Sequence, residues 1–540
     1  MKAAPTSDKL RGGYYTPPAI AQFLANWAIT DATRTVLEPS CGDGNLLIAA
    51  HQRLESLGVS ASVTGVELFE DEAKKAKARL KKLPNASAAK IINEDFFDFA
   101  GRCLVEQKTF DVVIGNPPFV RYQDFEEAQQ VKAFGLLRGM GLRPSKLANM
   151  WMPFLALSAR MLAPNGRLAM VIPAELFQVG YAAELRQFLA SFFPLINLVA
   201  FQRLVFPEIQ QEVVLLLAEH TSDKKGGIRV KEVEDAASLT ELDVSALERQ
   251  VLKPIDHAAE KWTKYFLDRK EILLLRELRE RADIPLLRNF IDIDVGVVTG
   301  GNDFFVLSAT ERAAYGLEGD TIPLVGRSAA LSGILFDQKD FQAWEALDKK
   351  AHMFAPKAPL SRAAKRHIKR GEDSGVSGGY KCRIRKEWYV VPAVWKPDVF
   401  FLRQADQSPR MVANGTGAIC TDTLHRGKLI DGLPADLLAA AFNNSLTFAA
   451  SEVMGRSYGG GVMTFEPSET EKLPLPVSRA ESLDIVEIDR LIRAKNTLAA
   501  LDLVDRVLLV DGLGLTEKDV RTLRGIWVKL RDRRRGRKRG

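Results

Sequence analysis

The sequence has few cysteines and no long apolar run. Only Cys41, Cys103, Cys382 and Cys420 occur among 540 residues, and none belongs to a Cys-x-x-Cys pair. This spacing excludes a disulfide framework and disfavours a zinc cluster. No apolar stretch reaches the ~18–20 residues of a membrane span, and residues 1–6 lack the apolar core of a signal peptide. We therefore expect a soluble, cytoplasmic chain with no membrane partner.

Acidic residues are scarce in two stretches. The formal net charge is +7, but residues 521–540 hold ten Lys/Arg and only one acid, Asp532, which leaves −2 for residues 1–520. Residues 357–386 hold ten Lys/Arg against two acids. Such basic blocks suit a polyanion such as nucleic acid, and a solvated surface is the alternative. We expect residues 531–540 to be disordered.

The length and the apolar pattern indicate several domains. A single core stops growing at about 250–300 residues, so 540 residues predict two or three domains. Residues 1–222 alternate strands with helices, which is typical of a mostly parallel sheet covered on both faces. Residues 223–284 predict a helical connector, residues 285–477 predict short irregular strands, and residues 478–540 predict helices followed by the basic tail.

Seven strands are predicted in the first region. The apolar, β-rich runs are Thr35–Glu38, Ser62–Glu67, Lys90–Asn93, Phe110–Gly115, Arg167–Ile172, Leu195–Phe201 and Glu212–Ala218. Helical spacing of apolar residues predicts helices between them, for example around Phe23 and Leu47. The last two strands are separated by only ten residues, too few for a crossover helix, so we expect them to be antiparallel neighbours.

The first predicted strand runs into a glycine loop. Residues 39–45 read Pro-Ser-Cys-Gly-Asp-Gly-Asn, and glycines here let the backbone approach a ligand at the edge of an open α/β sheet. The loop matches neither the G-x-G-x-x-G fingerprint nor a Walker A loop. Glu67 ends the second strand, where an acid suits a ribose hydroxyl, although such an acid is more often a surface residue. Asp95-Phe96 offers an acceptor beside an aromatic ring for a purine.

The fourth predicted strand is followed by Asn116-Pro117-Pro118-Phe119. Since proline is about 5% of residues, an Asn/Asp/Ser-Pro-Pro-aromatic tetrapeptide arises by chance in roughly one or two chains in a hundred of this length. Its position at a strand end is rarer still. A rigid Pro-Pro turn is the alternative interpretation. The tetrapeptide therefore indicates the chemical half of a site whose other half is the glycine loop.

In the order of its motifs, the sequence resembles the gamma class (TaqI type) of N6-adenine DNA methyltransferases over residues 13–220. The matching segments are Tyr15–Pro18, Val36–Gly44, Gly65–Glu67, Asp95-Phe96, Asn116–Phe119, Asn149–Phe154, Leu162–Gly166, Val171–Pro173 and Val205–Pro207. The resemblance implies an α/β fold. A Rossmann-like, seven-stranded class I methyltransferase domain would be followed by an α+β DNA target-recognition domain and a C-terminal helical segment.

The resemblance also implies a cofactor, S-adenosylmethionine, and a substrate, the N6 amine of an adenine flipped out of double-stranded DNA. No metal is implied. The implied cofactor-binding residues are Thr16, Glu38, Ser40, Gly42, Glu67, Asp95, Phe96, Asn116 and Phe154; the implied catalytic residues are Asn116, Pro117 and Phe119; the implied contacts of the target base are Phe119 and Phe206. Phe154 fits a core position equally well, whereas a loop position beside Pro207 favours a functional Phe206.

The implied mechanism suits the chemistry of these residues. The Asn116 side-chain oxygen and the Pro117 carbonyl can accept both amine hydrogens and aim the nitrogen lone pair at the sulfonium methyl. A base in a duplex must be extruded to reach such a pocket, at a cost of a few kcal/mol. Stacking on Phe119 would return about 1–3 kcal/mol.

The C-terminal half resembles the recognition domain of this class more loosely, in Gly296–Val306, Trp388-Tyr389, Phe465–Pro467 and Leu473–Pro476. The resemblance implies host DNA modification, by an orphan methylase or by the partner of a separate restriction endonuclease. Because the cofactor motif begins near residue 15, we expect neither a type I modification subunit nor a fused endonuclease.

Three rival functions stay open. An N4-cytosine methyltransferase more often has serine in place of Asn116. A protein-glutamine methyltransferase carries the same tetrapeptide but is typically short. A DNA-binding module without catalysis would be expected to have lost the tetrapeptide or the glycine loop.

Overall fold

The structure, a computed structural model, describes residues 15–84, 89–206, 211–221, 226–255, 260–430, 432–457 and 460–536. The chain divides into two compact units, with the boundary between Arg269 and Lys270. A short segment near residue 460 also belongs to the first unit. None of the described helices is long and apolar enough to cross a membrane.

The first unit is built on an eight-stranded sheet. Its strands are β1 (Thr35–Glu38), β2 (Ser62–Glu67), β3 (Ala89–Asn93), β4 (Phe110–Gly115), β5 (Leu162–Pro173), β6 (Leu195–Phe201), β7 (Val213–Glu219) and β8 (Gly227–Val233). Their order across the sheet is β3-β2-β1-β4-β5-β7-β6-β8. All neighbours are parallel except β7, which is antiparallel to both β5 and β6. The seven predicted strands and the antiparallel pairing of the last two are confirmed.

Strand β8 corrects the prediction of a helical connector over residues 223–284. It pairs with β6 along its whole length, from Leu195 opposite Gly227 to Phe201 opposite Val233. The prediction was wrong here because an edge strand has a neighbour on one side only and tolerates charged side chains such as Arg229. The described remainder of this segment contains short helical turns and one longer helix at its end.

The helices of the first unit lie before, between and after these strands in the sequence. They are α1 (Pro18–Ala28), α2 (Asn45–Ser56), α3 (Glu70–Leu80), α4 (Phe96–Val105), α5 (Glu127–Gly139), α6 (Trp151–Arg160), α7 (Glu175–Gln178), α8 (Ala183–Phe192) and α9 (Ser245–Glu248). The predicted faces of α1 and α2 are buried, including Phe23 and Leu47, and they share one core with side chains of β1, β4 and β5. The core therefore lies directly beneath the loops that follow β1 and β4.

The second unit contains three small sheets, ordered β10-β13-β11-β17, β12-β16-β14-β18-β9 and β15-β20-β19. Their strands are β9 (Ile291–Val295), β10 (Val306–Leu307), β11 (Thr321–Val325), β12 (Leu335–Phe336), β13 (His352–Phe354), β14 (Val399–Phe401), β15 (Gln404–Ala405), β16 (Met411–Asn414), β17 (Ile419–Cys420), β18 (His425–Leu429), β19 (Arg456–Ser457) and β20 (Met463–Thr464). These strands are two to five residues long, as the irregular sequence pattern predicts.

The helices of the second unit are mostly short until its C-terminal part. They are α10 (Arg269–Glu280), α11 (Asn302–Phe305), α12 (Ala309–Tyr315), α13 (Gln338–Ala346), α14 (Arg362–Asp373), α15 (Tyr380–Arg383), α16 (Ala435–Ala441), α17 (Ser445–Met454), α18 (Pro467–Thr470), α19 (Ile485–Arg493), α20 (Thr497–Asp505) and α21 (Glu517–Gly536). Helix α10 begins at Arg269, directly before the boundary between the two units.

Helix α21 corrects the prediction of a disordered tail. Residues 531–536 continue this helix, whereas residues 537–540 lie outside the described part of the chain. Arg534 is only 3% exposed. Its guanidinium donates to both oxygens of the buried Glu452 carboxylate, from Nε at 3.0 Å and from Nη2 at 2.7 Å. The charge count was a poor guide here because a guanidinium can be buried when a carboxylate neutralises it.

The buried pair of Arg534 and Glu452 predicts a large loss of stability when one partner is removed. Burial raises the pKa of Glu452, and Arg534 acts in the opposite direction. Arg534→Met should cost about 3–5 kcal/mol, whereas Arg534→Met combined with Glu452→Leu should recover most of that loss. Arg521→Met is the control, since that exposed pair with Glu517 should contribute about 1 kcal/mol or less. Calorimetric unfolding of the full chain measures this; an Arg534→Met variant as stable as the control would contradict it.

Candidate active site

A cavity of about 580 Å³ opens at the carboxyl ends of β1 to β4, the edge at which open α/β sheets bind ligands. All nine residues predicted to bind a cofactor line it, together with one of the two predicted base contacts. These residues are Thr16, Glu38, Ser40, Gly42, Glu67, Asp95, Phe96, Asn116, Phe154 and Phe206. The structure thus brings together side chains that lie up to 190 residues apart in the sequence.

The glycine loop after β1 forms one wall of the cavity. Gly42 and Gly44 have φ angles of +50° and +90°, in the left-handed region that favours glycine. A Cβ atom on Gly44 would also lie 3.3 Å from the Cβ of Ala76 on α3. Glycine is required here because the loop turns sharply while it passes close to a neighbouring helix.

Glu67, at the end of β2, anchors this loop. Its Oε2 accepts a hydrogen bond from the Gly42 N–H at 2.8 Å, and its Oε1 accepts one from the Phe69 N–H at 2.8 Å. The side chain is buried, at 6% exposure, so it is not the ordinary surface acid that strand ends usually carry. Burial raises the pKa of Glu67, and the two backbone N–H groups act in the opposite direction.

Glu38, at the end of β1, is more deeply buried. It is 2% exposed, and its Oε2 has no hydrogen-bond partner among the described residues. Burial, followed by the negative charges of Glu67 and Asp43, holds the pKa of Glu38 well above its ordinary value. A buried carboxyl oxygen without a partner is costly, and Oε2 of Glu38 lies in the wall of an open cavity where a cationic ligand group could pair with it.

Arg79 on α3 supplies the positive charge at this wall. Its guanidinium binds the Asp43 side chain and donates to the Asn45 side-chain oxygen at 2.7 Å. Asn45 in turn donates to the Thr16 carbonyl at 3.3 Å. Tyr15 donates its hydroxyl to Glu72 of α3 at 3.0 Å. These contacts hold the chain that precedes α1 across the mouth of the glycine loop.

Aromatic rings form another wall of the cavity. The rings of Phe96 and Phe154 stack with centroids 4.5 Å apart and planes at 18°. Asp95 caps α4 by accepting from the Phe97 N–H at 2.7 Å, and its other oxygen accepts from the Gln129 amide at 2.9 Å. Phe154 is therefore both a buried core side chain and part of the cavity wall, which reconciles the two interpretations that the sequence allowed.

Asn116 lies where the glycine loop and the N-terminal segment meet. Its Nδ2 donates to the Thr16 hydroxyl at 3.2 Å, and its backbone carbonyl accepts from the Ser40 hydroxyl at 3.3 Å. Thr16 thus orients the side-chain amide and Ser40 holds the backbone of the same residue before any substrate arrives. An amide fixed in this way can present its oxygen to a donor without a reorganisation cost at the time of reaction.

The remaining predicted residues lie at the edge of the cavity. Pro117 is buried, and Phe119 is half-buried against the hydrophobic cluster that includes Phe206. Phe206 lines the cavity, whereas Phe119 does not. Pro207 lies outside the described residues. The roles of Phe119 and Phe206 as contacts of a target base therefore stay predictions.

The N-6 DNA Methylase family matches residues 1–271, half of the chain. The chain belongs to this family. The C-terminal domain of the type II methyltransferase M.Eco57I matches residues 259–509 of this methylase. Together the two matches cover residues 1–509, which include most of each unit.

Relatives along most of the methylase are type II methyltransferases. M.AccI of Acinetobacter calcoaceticus is 21% identical over 483 residues, which are 85% of this chain and 84% of the relative. M.XamI of Xanthomonas campestris pv. amaranthicola is 23% identical over 478 residues, which are 86% of this chain and 85% of the relative.

Two solved structures share the fold over nearly the whole methylase. The type IIL restriction-modification enzyme MmeI, solved in complex with DNA, is 12% identical with a TM-score of 0.60 and is matched over 94% of this chain and 73% of its own. The DrdV–DNA complex is also 12% identical, with a TM-score of 0.50, and this chain spans 58% of it. At these identities the likeness shows the fold alone.

Sequence reasoning missed the side chains that hold the segment after the tetrapeptide. Asn149 accepts from the Tyr122 N–H at 3.0 Å and donates to Glu175 at 2.9 Å. Tyr181 also donates to Glu175, at 2.7 Å. Asn149 opens a segment that matched the class motifs, which was the available signal, but the roles of Glu175 and Tyr181 depend on contacts that no spacing reveals. Arg79 and Gln129 were missed for the same reason, whereas Tyr15, like Asn149, stood in a matched segment without an assigned role.

Asn149 predicts a test of this positioning. Asn149→Ala should release the backbone of Tyr122 and misplace the tetrapeptide, and a misplacement of about 1 Å can cost roughly 100-fold in rate. We expect kcat to fall by about 10- to 100-fold while cofactor affinity, measured by calorimetry, changes little. Asn26→Ala on the exposed face of α1 is the control. A normal kcat in Asn149→Ala would show that the segment holds its position without this side chain.

Proposed function

We propose that this methylase transfers the methyl group of S-adenosylmethionine to the N6 amine of an adenine flipped out of a specific double-stranded DNA sequence. One observation carries the proposal: Asn116 of the Asn-Pro-Pro-Phe tetrapeptide meets Thr16 and Ser40 at the cavity that holds the glycine loop. The order of the motifs along the chain supports the gamma class of these enzymes.

The chemistry of the cavity walls fits S-adenosylmethionine. The buried carboxyl of Glu38 suits the cationic amino group of the cofactor. Glu67 stands where a ribose hydroxyl is bound in open α/β sheets, and Asp95 beside Phe96 and Phe154 suits an adenine ring and its amine. When bound, the cofactor supplies the sulfonium methyl group that the amine attacks.

The residues of the tetrapeptide act on the target amine. The adenine N6 lone pair is conjugated with the ring, so the amine is a poor nucleophile until its geometry changes. We infer that the Asn116 side-chain oxygen and the Pro117 carbonyl accept its two hydrogens, which draws the nitrogen toward sp³ geometry and aims its lone pair. Proton loss can follow methyl transfer, so positioning and electrostatic stabilisation are sufficient.

Phe119 and Phe206 would hold the extruded base. Extrusion costs a few kcal/mol, and stacking on one aromatic face returns about 1–3 kcal/mol. The packing of Phe119 against the cluster that contains Phe206 supports a shared role.

We infer that residues 285–477 read the DNA sequence. The match of residues 259–509 to the C-terminal domain of a type II methyltransferase supports this inference. The modification would protect host DNA, either as the work of an orphan methylase or beside a separate restriction endonuclease. We assign the enzyme to the cytoplasm, because DNA and S-adenosylmethionine are both available there.

Asn116→Ala tests the proposed chemistry. The variant should bind S-adenosylmethionine almost normally, because the glycine loop and the aromatic wall remain, but its turnover should fall by about 10²–10³-fold or more. Asn26→Ala is again the control. Calorimetry gives the cofactor affinity, and transfer of labelled methyl groups to DNA gives the turnover.

The same assay separates the rival functions. Nucleoside analysis of the modified DNA should show N6-methyladenine. N4-methylcytosine would show instead that the same residues methylate cytosine. Normal turnover in Asn116→Ala would show that the Asn116 side chain has no part in methyl transfer. The proposed function would be contradicted if the wild-type chain did not methylate DNA taken from a host that lacks this enzyme.

The raised pKa of Glu38 predicts how cofactor affinity depends on pH. In the free protein the carboxyl is held protonated to a higher pH than usual, and a bound cation favours its ionised form, so binding releases a proton. Affinity should therefore increase as the pH rises above the ordinary glutamate range of about 4.3, as long as the pH stays below the range near 7.7–8.0 in which an α-amino group titrates. Glu38→Gln should bind more weakly and lose the dependence, whereas Glu126→Gln should keep it. An affinity that does not change with pH would contradict the pairing.

A further inference from the structure

Helix α14 of the second unit carries a row of cations on one face. Ser361 caps the helix by accepting from the Ala364 N–H at 2.9 Å. The buried face consists of Ala364, His367, Ile368 and Gly371. The exposed side chains include Arg362, Lys365, Arg366, Lys369 and Arg370, a spacing of three or four residues that places them along one side of the helix.

Helix α14 packs tightly against aromatic side chains of the second unit. A Cβ atom on Gly371 would lie 2.3 Å from the Trp388 side chain and 2.7 Å from that of Phe304, so the helix packs against these rings without a gap. The His367 ring stacks on Phe304 with centroids 4.3 Å apart. The orientation of the exposed face is therefore fixed by the core of the unit.

A second element joins this packing. The guanidinium of Arg385 donates to the carbonyls of Val298 and Thr299, at 3.0 Å and 2.7 Å, and its charge lies 5.5 Å from the centre of the Phe305 ring. A Cβ atom on Gly300, which has a φ angle of +82°, would lie 2.7 Å from the Cβ of Lys381. The loop around Gly300 is thus in close contact with helix α15.

This junction exposes large apolar side chains to solvent. Tyr380 is 65% exposed, Ile384 is 61% exposed and Val298 is 42% exposed. Lys381 lies beside Tyr380, with its ammonium 5.8 Å from the ring centre. Apolar side chains that are grouped on a surface and surrounded by charge mark an interaction site.

The cations near this apolar group carry uncompensated charge. Lys369 pairs with Asp373 at 3.1 Å. The Arg370 guanidinium carbon lies 3.9 Å from the centre of the Tyr315 ring. Six other exposed cations take part in no ion pair within 4 Å among the residues that the structure describes. They are Arg362, Lys365 and Arg366 on α14, Lys381 and Arg383 on α15, and Lys386 just after α15. The face therefore calls for a polyanionic partner.

We propose that this face, named here the α14–α15 face, docks on duplex DNA in two ways at once. The cations of α14 bind the phosphate backbone, while Tyr380 and Ile384 of α15 and its flank enter a groove and wedge between base pairs. Apolar wedges flanked by cations are one way in which proteins grip and bend a duplex. The inference rests on the proposed function, because it takes DNA to be the substrate.

A membrane surface fits the same charge less well. Interfacial membrane helices are long enough to bury a continuous apolar face, whereas α15 is four residues long. The apolar group projects from a rigid junction rather than along a helix. Duplex DNA is therefore the partner that both halves of the face suit.

The test compares two variants of the full-length chain with S-adenosylmethionine present. Lys365→Ala/Arg366→Ala should weaken binding to cognate and non-cognate duplexes alike and lower the slope of log K against log salt by about 1.8, or 0.9 for each lost phosphate contact. Tyr380→Ala/Ile384→Ala should leave the slope unchanged but weaken cognate binding by roughly five- to hundred-fold. Single-molecule sequencing of DNA from an expressing host should show reduced or altered site preference for the second variant.

Matched controls separate these effects from general ones. Lys339→Ala/Lys518→Ala removes two other exposed cations of the unit, and Leu347→Ala/Val486→Ala removes two other exposed apolar side chains; neither should act like its counterpart. Tyr380→Phe/Ile384→Leu should restore cognate binding, because the apolar wedge is retained.

Each unfavourable result has a definite meaning. An unchanged salt slope in the charge variant, or unchanged cognate binding in the wedge variant, would overturn the docking surface. Binding to vesicles of phosphatidylcholine and phosphatidylserine that the wedge variant alone loses, with normal DNA binding, would overturn it in favour of a membrane. Absence of methylation by the wild-type chain would instead count against the proposed function, since the binding measurements do not depend on turnover.

Discussion

The arrangement of the cavity depends on the buried carboxylate of Glu67. Its two oxygens hold the backbone N–H groups of Gly42 and Phe69, which would otherwise be left with weak or no acceptors at a cost of about 1–3 kcal/mol each. The end of β2 thereby sets the positions of both the glycine loop and the start of α3. Arg79 of that helix pairs with Asp43 in the glycine loop, so a second contact holds the loop and α3 together.

From this anchor a continuous series of contacts reaches the tetrapeptide. Arg79 holds Asn45, Asn45 holds the backbone of Thr16, and the Thr16 hydroxyl accepts from the Asn116 amide. The end of β2 and the end of β4 are therefore connected through side chains that lie outside both strands. The orientation of Asn116 is set by the same residues that shape the cofactor side of the cavity.

The acidic residues of the cavity favour a cationic ligand. Glu38 and Asp43 each have a raised pKa with burial as the main cause, and the charges of neighbouring acids add to the shift of Glu38. Arg79 compensates Asp43, while no cation of the described residues forms an ion pair with Glu38. Functional sites commonly retain such unfavourable groups because a ligand relieves them. The cost that Glu38 imposes on the free protein becomes part of the affinity for the ligand that relieves it.

Local patterns predicted the sheet and most of the cavity wall, because strand period, glycine loops and Asn116–Phe119 are all short-range signals. Strand β8 was missed since its charged residues masked a pairing that depends on β6. The burial of Arg534 depends on Glu452, 82 residues away, and no count of charge reveals such a partner. Asn149 stood in a visible motif, yet its bond to the Tyr122 backbone required the folded structure.

Every described residue that lines the cavity lies between Tyr15 and Phe206, within the first unit. Affinity for the methyl donor can therefore be inherited unchanged while the second unit diverges. If residues 285–477 read the DNA sequence, as we propose, a lineage of such enzymes can change that region and acquire a new target while the cavity keeps its residues. Selection would then act separately on the two parts, one constant and the other changing with each DNA sequence that a host must mark.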